Sequence, residues 1–399
     1  MPPQQSRSHT LPGKLQRSRR SLSAVIAAGV FALASAGASA EQPRCLNGQS
    51  APGCAAGILT GLLGPGRCET TAAPVESAPA QTAADRLQSL LDYLPCPDSG
   101  RVSFNTRDNF GDSMSVLDPL PSPTGGYLGV YHTEFNPTGR RWAADFRVSL
   151  ARSNDLIHWT RAAVLDPTGA SMPTLSPIPG TSGYLLAYEK RPRAGGGDVV
   201  RVRYYPSLFW LLGGQWAAQR DLPLTFSPFN NGTPTIVWVH WNGALSRSAI
   251  RVGFHYETAP AGSRGPDREA VGTLRGFHTW TAHTDPATDV ALDRQGLLGS
   301  HGDWRQFSFG GSDWRPYEAQ TAFNEFGAWR VILDSRGSGR MYPVTLTQGA
   351  RPVSSSFANP IARVEPAPGG RGRVLVVTMF LFEAYASAAR GELVYLQPL

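Results

Sequence analysis

The chain has 399 residues, and 37 Lys and Arg against 30 Asp and Glu give a formal net charge of +7. Hydrophobic residues make up 41%, enough for one large core, while 43 Gly and 33 Pro divide the chain into short segments typical of an all-β fold. Without the basic first 40 residues the charge falls to about +2, so composition does not indicate nucleic-acid binding.

Residues 1–40 have the pattern of an export signal. A basic head precedes an apolar stretch from Leu22 to Ala34, and Ala38-Ser39-Ala40 is a small-residue cleavage site. Ser18 to Leu22 partly fits a twin-arginine signal. An uncleaved membrane anchor is the alternative, disfavoured because the apolar stretch is short and alanine-rich. No later stretch is long and apolar enough to span a bilayer, so we expect a secreted or periplasmic protein without membrane insertion.

Residues 41–100 form the second predicted region. They contain all four cysteines of the chain, Cys45, Cys54, Cys68 and Cys96. In an oxidising compartment these should form two disulfides, with three possible pairings, and staple a short N-terminal segment. A zinc site is the alternative, but the spacing contains no Cys-x-x-Cys pair and no neighbouring His.

A linker and a helix are predicted within the same region. Residues 70–85 are rich in Ala, Pro and Thr, as in a flexible linker. From Asp85 to Leu94 the apolar residues Leu87, Leu90, Leu91 and Leu94 share one helical face, which predicts a short amphipathic helix.

Residues 101–399 are predicted to be a five-bladed β-propeller. Five short apolar or aromatic runs each close on a glutamate, at Glu134, Glu189, Glu257, Glu318 and Glu383. The separations of 55, 68, 61 and 65 residues match one four-stranded blade with its loops. We expect blade one over 112–165, blade two over 174–219, blade three over 235–278, and blades four and five from near Gln306 and Ala358. A strand from residues 98–106 should close the ring.

The segment Ser153-Asn154-Asp155-Leu156-Ile157-His158-Trp159-Thr160 is the most specific motif. It resembles the Ser-x-Asp-Leu-x-x-Trp turn of five-bladed glycosidases, the family 43 arabinanases and xylosidases and the related family 32 and family 130 enzymes. The Ser and Asp side chains can bond their own backbone to shape a turn, while Trp159 folds into the core. The motif therefore favours a fold and not a chemistry.

The first blade extends the resemblance. Asp112 to Leu117, followed by Gly125 to Thr133, is similar to the family's Asp-Pro-x-Val-Ile and Gly-x-Tyr-Tyr-Leu-x-x-Thr pattern. The resemblance implies that Asp112 is the catalytic base. The alternative is an aspartate that satisfies a turn after Gly111, and Asp118 is a weaker contender for the base.

The match departs from the family at two places where chemistry is expected. Thr174 stands where blade two of the family has an aspartate that tunes the acid, and Asn231 stands nearest to the acid itself. An amide cannot donate a proton as a carboxylic acid does. The acid must come from another position, or the protein binds glycans without cleaving them.

Hydrolysis of a glycosidic bond needs a second carboxyl group facing the first. The candidates are Glu189, Glu257, Asp267, Glu269, Asp303 and Glu318. Glu318 and Glu189 are favoured because each directly follows a tyrosine, Tyr317 and Tyr188, that could stack on or orient a sugar. The alternative for each glutamate is a surface ion pair or a bond between blades.

Aromatic and planar polar side chains are the groups that recognise sugars. The substrate-binding candidates are His132, Tyr188, His255, Trp304 and Tyr317, with packing in the blade core as the alternative. No paired ligand motif accompanies His240 and His255, so we expect no metal and no cofactor. Arg191, Arg193, Arg201 and Arg203 could recognise a substrate carboxylate, but a solvated strand face is the favoured interpretation.

The sequence therefore predicts a secreted carbohydrate-active propeller. The favoured hypothesis is a glycoside hydrolase that uses a pair of carboxylates in the propeller funnel. The alternative is a non-catalytic, lectin-like glycan-binding propeller, favoured by Thr174 and Asn231.

Overall fold

A computed structural model describes residues 82–95, 99–135, 145–192, 196–259, 265–335, 340–348, 351–382 and 390–399. The described residues form three α-helices and 23 β-strands. None of these helices is long and apolar enough to cross a membrane. Cys45, Cys54, Cys68 and Cys96, like residues 1–40, lie outside the described residues, so the two disulfides and the export signal stay predictions.

Helix α1 (Ala83–Asp92) opens the described chain and confirms the amphipathic helix expected here, displaced by two residues. Thr82 and Asp85 form a capping box at its N-terminus. Leu87 and Leu91 are buried in the hydrophobic cluster shared by blades four and five, so the helix is packed on the propeller. A two-residue strand, β1 (Val102–Ser103), follows it.

The first three blades each contain four antiparallel strands in sequence order. Blade one contains β2 (Ser115–Pro121), β3 (Tyr127–Phe135), β4 (Asp145–Ser153) and β5 (Thr160–Asp166). Blade two contains β6 (Ala170–Pro177), β7 (Tyr184–Lys190), β8 (Val199–Tyr205), helix α2 (Leu208–Leu212) and β9 (Ala218–Asp221). Blade three contains β10 (Asn231–His240), β11 (Ala249–Glu257), β12 (Asp267–Arg275) and β13 (Thr279–Thr284), and helix α3 (Pro286–Asp293) follows it.

The last two blades complete the ring. Blade four contains β14 (His301–Trp304), β15 (Phe307–Phe309), β16 (Ser312–Gln320), β17 (Trp329–Ser335) and β18 (Arg340–Pro343). A hairpin, β19 (Thr347–Gln348) and β20 (Arg351–Pro352), precedes blade five, which contains β21 (Phe357–Pro366), β22 (Arg373–Leu381) and β23 (Gly391–Pro398). The fourth strand of blade five is β1, whose Val102 pairs with Tyr395, so the expected closure by an N-terminal strand is confirmed.

The five-fold repeat read from the glutamates is also confirmed. Glu134, Glu189, Glu257 and Glu318 each lie near the end of the second long strand of a blade. Glu383 lies outside the described residues, just beyond β22. The first strands β2, β6, β10, β14 and β21 contact one another in turn around the propeller axis, which makes them the innermost strands.

Each innermost strand carries a β-bulge near its beginning. The register shifts occur at Ser115/Asp118, Ser171/Thr174, Gly232/Thr235, His301/Trp304 and Ala358/Ile361. Four non-glycine residues in these bulges have positive φ: Val116 (56°), Met172 (50°), Thr233 (36°) and Asn359 (52°). A bulge bends the strand and turns its backbone N–H groups away from the ladder, so they need acceptors from elsewhere.

The Trp159 turn has the structure that the motif predicted. The Ser153 hydroxyl accepts the Leu156 N–H at 2.8 Å, and the Asp155 carboxylate accepts the N–H groups of Ile157 and His158. Trp159 is buried in the cluster that joins blades one and five. Its indole N–H donates to the Leu156 carbonyl at 3.0 Å, so the turn and the blade packing stabilise each other.

Candidate active site

A cavity of about 420 Å³ lies on the propeller axis at the N-terminal ends of the innermost strands. All five blades contribute to its lining. The lining includes His132, Phe146, Ser171, Met172, Glu189, Asn231, Thr233, His255, Glu318, Gln320, Asn359 and Phe380. Six residues predicted for the second carboxyl or for sugar binding are therefore brought together in one place: Glu189, Glu257, Asp267, Glu318, His132 and His255.

Asp112 is not among the residues that line the cavity. It precedes β2, and its carboxylate forms ion pairs with Arg147 on β4 and, at 2.5 Å, with Arg161 on β5. Both arginines belong to strands farther from the axis than β2 and β3. The structure therefore does not bring Asp112 together with Glu189 or Glu318.

The aromatic residues beside the two glutamates lie in the blade core. The Tyr188 hydroxyl donates to Asp166 at 2.8 Å, and Tyr317 packs against Trp304 with ring centroids 5.8 Å apart. The Trp304 indole N–H donates to Glu269 at 3.1 Å. Successive side chains of a strand point to opposite faces, so a tyrosine directly before a cavity glutamate faces the other side of its sheet.

Glu189 is held in the cavity wall by two hydrogen bonds. Its Oε1 accepts the Thr233 N–H at 2.8 Å, and its Oε2 accepts the Ser171 hydroxyl at 2.9 Å. Burial raises the pKa of the Glu189 carboxyl above its ordinary value; nearby His255 opposes the shift, and Asp198 adds to it. The environment therefore favours a protonated glutamate more than water does.

His255 faces Glu189 across Gly232. A Cβ on Gly232 would stand 2.2 Å from Glu189 Oε1 and 2.4 Å from His255 Nε2, so only a glycine leaves room for both groups. His255 Nδ1 is hydrogen-bonded to the Thr233 hydroxyl at 2.5 Å. Burial lowers the pKa of His255, and the Glu189 and Glu257 carboxylates oppose this shift.

Several side chains around the axis accept an N–H from the bulge of the next blade, and we call these contacts bulge latches. The acceptors and bulge residues are His132 Nδ1 with Met172, Glu189 Oε1 with Thr233, Glu318 Oε2 with Asn359, and Glu392 Oε2 with Val116. Buried amides require such partners. The alternative that the sequence left open, a bond between blades, is therefore one role of both Glu189 and Glu318.

Of the arginines proposed for carboxylate recognition, only some lie at the cavity. Arg201 pairs with Asp221 at 2.6 Å, and Arg203 pairs with Asp166 at 3.0 Å, so these two are engaged inside blade two and at its border with blade one. Arg191 lines the cavity and lies 3.5 Å from Asp198. Arg193 is outside the described residues.

Sequence reasoning did not find the aromatic part of the lining. Phe323, Phe326, Trp329, Phe380 and Phe382 lie in the β16–β17 connection and around the end of β22, and we call them the aromatic arc. Phe323 is 42% exposed, an exposure that a buried core position would not have. In the sequence, the only sign of these residues is an aromatic side chain in a turn. That sign does not show which part of the propeller the turn lies against. Asp198, beside Arg191, was also missed.

Among the residues that the structure describes, no group of three or more His, Cys, Asp and Glu is placed to hold a metal ion. The polar groups of the cavity are carboxyl groups, two imidazoles, the Arg191 guanidinium, amides and hydroxyls. These are the groups used for proton transfer and for binding sugar hydroxyls.

Comparisons with known proteins support the fold. No protein-family model matches the chain, and no curated protein matches it. Among solved structures, a BT0996 RGII complex has a TM-score of 0.51 and 8% identity, covering 79% of this chain and 95% of that one. A thermostable family-43 glycoside hydrolase gives a TM-score of 0.46, 11% identity and coverages of 74% and 93%. The catalytic domain of the Coprinopsis cinerea GH62 α-L-arabinofuranosidase has a TM-score of 0.41 and 9% identity, and the match covers 77% of this chain and 95% of that one.

The five-bladed propeller fold that the resemblance implied is thus confirmed. At such low identity the similarity defines the arrangement of blades and not the chemistry of the cavity.

Proposed function

We propose that the protein is a glycoside hydrolase and that Glu189 and Glu318 are its catalytic carboxyl pair. One observation carries the proposal: two carboxyl groups from non-adjacent blades, two and four, line the same axial cavity. Glycosidases need two carboxyl groups on either side of the bond that breaks.

Glu189 is the general acid in this proposal. Burial raises the pKa of its carboxyl, which is the direction that a proton donor near neutral pH requires. The Thr233 amide and the Ser171 hydroxyl fix its two oxygens, so the carboxyl is oriented before a ligand arrives. Its proton would pass to the glycosidic oxygen as the bond to the leaving group breaks.

Glu318 is the second carboxyl. It is buried with 3% exposure, and its Oε2 accepts the Asn359 N–H at 2.5 Å. An ionised oxygen is the better acceptor for such a bond. In its ionised form Glu318 either removes a proton from the attacking water or attacks the anomeric carbon itself, and the anomeric configuration of the product distinguishes these routes.

The second candidate function is non-catalytic glycan binding. The bulge latches favour it, because Glu189 and Glu318 each have one oxygen committed to the neighbouring blade. Thr174 and Asn231, at places where the resembled family has acidic residues, favour it too. In this case the carboxyl groups of Glu189 and Glu318 would join neighbouring blades of the propeller, and the remaining cavity groups would bind the sugar.

The test is release of reducing sugar by the purified protein from arabinans, xylans, galactans and host-type glycans. The variants are Glu189→Gln and Glu318→Gln, with Asp112→Asn as a control outside the cavity. The assignment is supported if each glutamine variant releases at least about a hundredfold less sugar than wild type, while Asp112→Asn releases nearly as much as wild type. No release, together with binding to one glycan, supports the second candidate.

We also propose that the protein is exported to the periplasm or the medium and acts there on carbohydrate. The basic head, apolar stretch and Ala38-Ser39-Ala40 site support this. N-terminal sequencing of the mature protein after secretion should begin at Glu41. A mature protein retaining its first 40 residues would contradict cleavage at this site.

A further inference from the structure

One member of the aromatic arc differs from the others. Phe326, Phe380 and Phe382 are half-buried and pack on one another, because Phe382 has its ring centroid 5.8 Å from that of Phe326 and 5.3 Å from that of Phe380. Phe323 is 42% exposed and makes no ring contact with another described aromatic side chain. Since Phe323 lines the cavity and also meets solvent, it lies at the cavity mouth.

The turn that carries Phe323 is fixed by hydrogen bonds and not by packing of the exposed ring. The Thr321 N–H donates to the Ala328 carbonyl at 3.0 Å. The buried side-chain amide of Gln320 donates to the Glu325 carbonyl at 3.2 Å. The backbone that carries the ring is therefore ordered before a ligand arrives, which lowers the entropic cost of binding.

Asn324, the next residue, has a backbone conformation that is unfavourable for most residues. Its φ is 63°, in the left-handed region, which costs free energy for any residue other than glycine and least for Asn and Asp. Such conformations recur at ligand-binding positions. Asn324 is exposed, lines the cavity, and its side-chain amide makes no hydrogen bond to another described residue. The turn therefore presents an aromatic ring and a free amide, side by side in the chain, at the mouth of one cavity.

A sugar unit has the chemistry to use both groups. The C–H groups on one face of a sugar ring pack on an aromatic ring, and the hydroxyls on its edge pair with the donor and the acceptor of an amide. The cavity volume of about 420 Å³ lies within the range of about 300–1,000 Å³ that accommodates drug-sized ligands, so the cavity is not confined to a single sugar. One sugar at Glu189 and Glu318 leaves the groups at the mouth for its neighbour in a glycan chain.

We propose that Phe323 and Asn324 form a subsite for a second sugar unit, the neighbour of the unit that occupies the cavity at Glu189 and Glu318. The Phe323 ring packs on the C–H face of this second sugar, and the Asn324 amide pairs with one of its hydroxyls. The substrate class is then a glycan of two or more sugars and not a glycoside of a single sugar. This inference rests on the proposed function for the carbohydrate ligand, but not on whether that carbohydrate is cleaved.

The test uses substitutions at exposed positions, which carry little of the folding free energy. Phe323→Leu keeps an apolar side chain but removes the flat ring, whereas Phe323→Tyr keeps the ring. Asn324→Gly removes the amide and tolerates the positive φ. Phe209→Leu is the matched control, because Phe209 is 81% exposed on α2 and does not line the cavity.

The probes are β-1,4-xylotriose, α-1,5-arabinotriose and β-1,3-galactotriose, each compared with the methyl glycoside of its own sugar. Every substitution is made in a Glu189→Gln parent, so that no probe is cleaved under the proposed function. The glutamine oxygen can still accept the Thr233 N–H, and its NH₂ group can donate to the Ser171 hydroxyl. Calorimetry measures the affinities, and weak probes are titrated by displacement of a bound trisaccharide.

We expect the parent to bind at least one trisaccharide at least about tenfold more tightly than the methyl glycoside of the same sugar. Phe323→Leu should weaken trisaccharide binding about fivefold, the effect of one lost stacking contact, and Asn324→Gly about threefold, the effect of one lost hydrogen bond. Both variants should bind the methyl glycoside within about twofold of the parent. Phe323→Tyr and Phe209→Leu should stay within about twofold of the parent on both probes.

Equal affinities of the parent for the trisaccharide and the methyl glycoside overturn the proposal. So does a Phe323→Leu or Asn324→Gly variant that binds the trisaccharide as tightly as the parent, or that loses as much on the methyl glycoside. If wild type releases no sugar and neither wild type nor the parent binds any glycan, the carbohydrate proposal itself fails, before the variants are compared.

A crystal structure of the Glu189→Gln parent with the tightest-binding trisaccharide gives a second and direct readout. One sugar ring should pack on Phe323, with a hydroxyl within hydrogen-bond distance of the Asn324 amide. A trisaccharide that occupies the cavity and leaves the Phe323 ring in solvent overturns the proposal.

Discussion

Glu392 joins the last blade of the ring to the first. It lies on β23 with 2% exposure, and its two carboxylate oxygens accept the N–H groups of Val116 and Leu117, each at 3.1 Å. Val116 belongs to the bulge of β2, where φ is positive and the amides point out of the ladder. Replacing Glu392 should therefore weaken the contact between blades five and one and lower the stability of the propeller.

The structure sets the size of the effect. Hydrogen bonds to a charged group contribute about 1.5–3 kcal/mol each, and an unpaired buried amide costs about 1–3 kcal/mol. Glu392→Ala leaves both amides without this acceptor, so we expect a loss of about 3–5 kcal/mol in the free energy of unfolding. Glu392→Gln keeps one acceptor oxygen but turns an NH₂ group toward the other amide, so we expect a loss of about 2–3 kcal/mol. Either is a large share of the 5–15 kcal/mol typical of a folded protein.

Urea unfolding followed by tryptophan fluorescence measures the loss. Glu325→Ala is the matched control, because Glu325 is exposed and its side chain makes no capping hydrogen bond. The control should change stability by less than about 0.5 kcal/mol. If Glu392→Ala unfolds at the same urea concentration as the control, the carboxylate does not hold the bulge and the reasoning fails.

Three further predictions concern Glu189, Asp118 and Trp159. Because burial and the neighbouring Asp198 raise the pKa of Glu189, activity should fall as pH rises through that raised pKa, and Asp198→Asn should move this alkaline limb of the pH–rate profile to lower pH. The folded state also binds this proton more tightly than the unfolded chain, so the contribution of Glu189 to stability is present at low pH and lost as pH rises; proton uptake on folding, measured by titration, checks the sign. Asp118 is fully buried, is bonded to Arg363 at 2.7 and 2.9 Å, and accepts the Thr174 hydroxyl and the Leu175 N–H. Changing it to Ala should cost about 3–5 kcal/mol in urea unfolding, because the half-buried Arg363 guanidinium and these two buried donors lose their partner. Trp159→Ala should cost about 3–5 kcal/mol in the same assay, because it empties the space between blades one and five; a loss below 1 kcal/mol would contradict this packing role.

The five-fold repeat of blades could be predicted from the sequence because it depends on local features. A strand of alternating or apolar residues and a turn can be recognised within a few residues, and Glu134 to Glu318 mark corresponding strands. The Trp159 turn was readable for the same reason, since Ser153 and Asp155 bond only to their own backbone neighbours.

The candidate active site was harder to predict because its geometry depends on contacts between residues of different strands and blades. The sequence directs attention to Tyr188 and Glu189 together, but the strand alternation turns them to opposite faces. The side chain of Asp112 is directed by Arg147 and Arg161, which follow 35 and 49 residues later. The latch from Glu318 to Asn359 likewise joins residues 41 positions apart. No local pattern contains such pairings.

The assignment of Glu189 as general acid is tested most directly by changing the leaving group. The rates of wild type, Glu189→Gln and Glu318→Gln are compared on a susceptible natural glycan and on the dinitrophenyl glycoside of its terminal sugar. A dinitrophenolate leaves without being protonated, so it needs no acid. The account predicts that Glu189→Gln loses at least about a hundredfold in kcat/KM on the glycan but keeps most of its kcat/KM on the dinitrophenyl glycoside, because kcat/KM reports the step in which the leaving group departs. Glu318→Gln should lose kcat/KM on both substrates. Equal losses of Glu189→Gln on the two substrates, or no loss on either, would contradict the account.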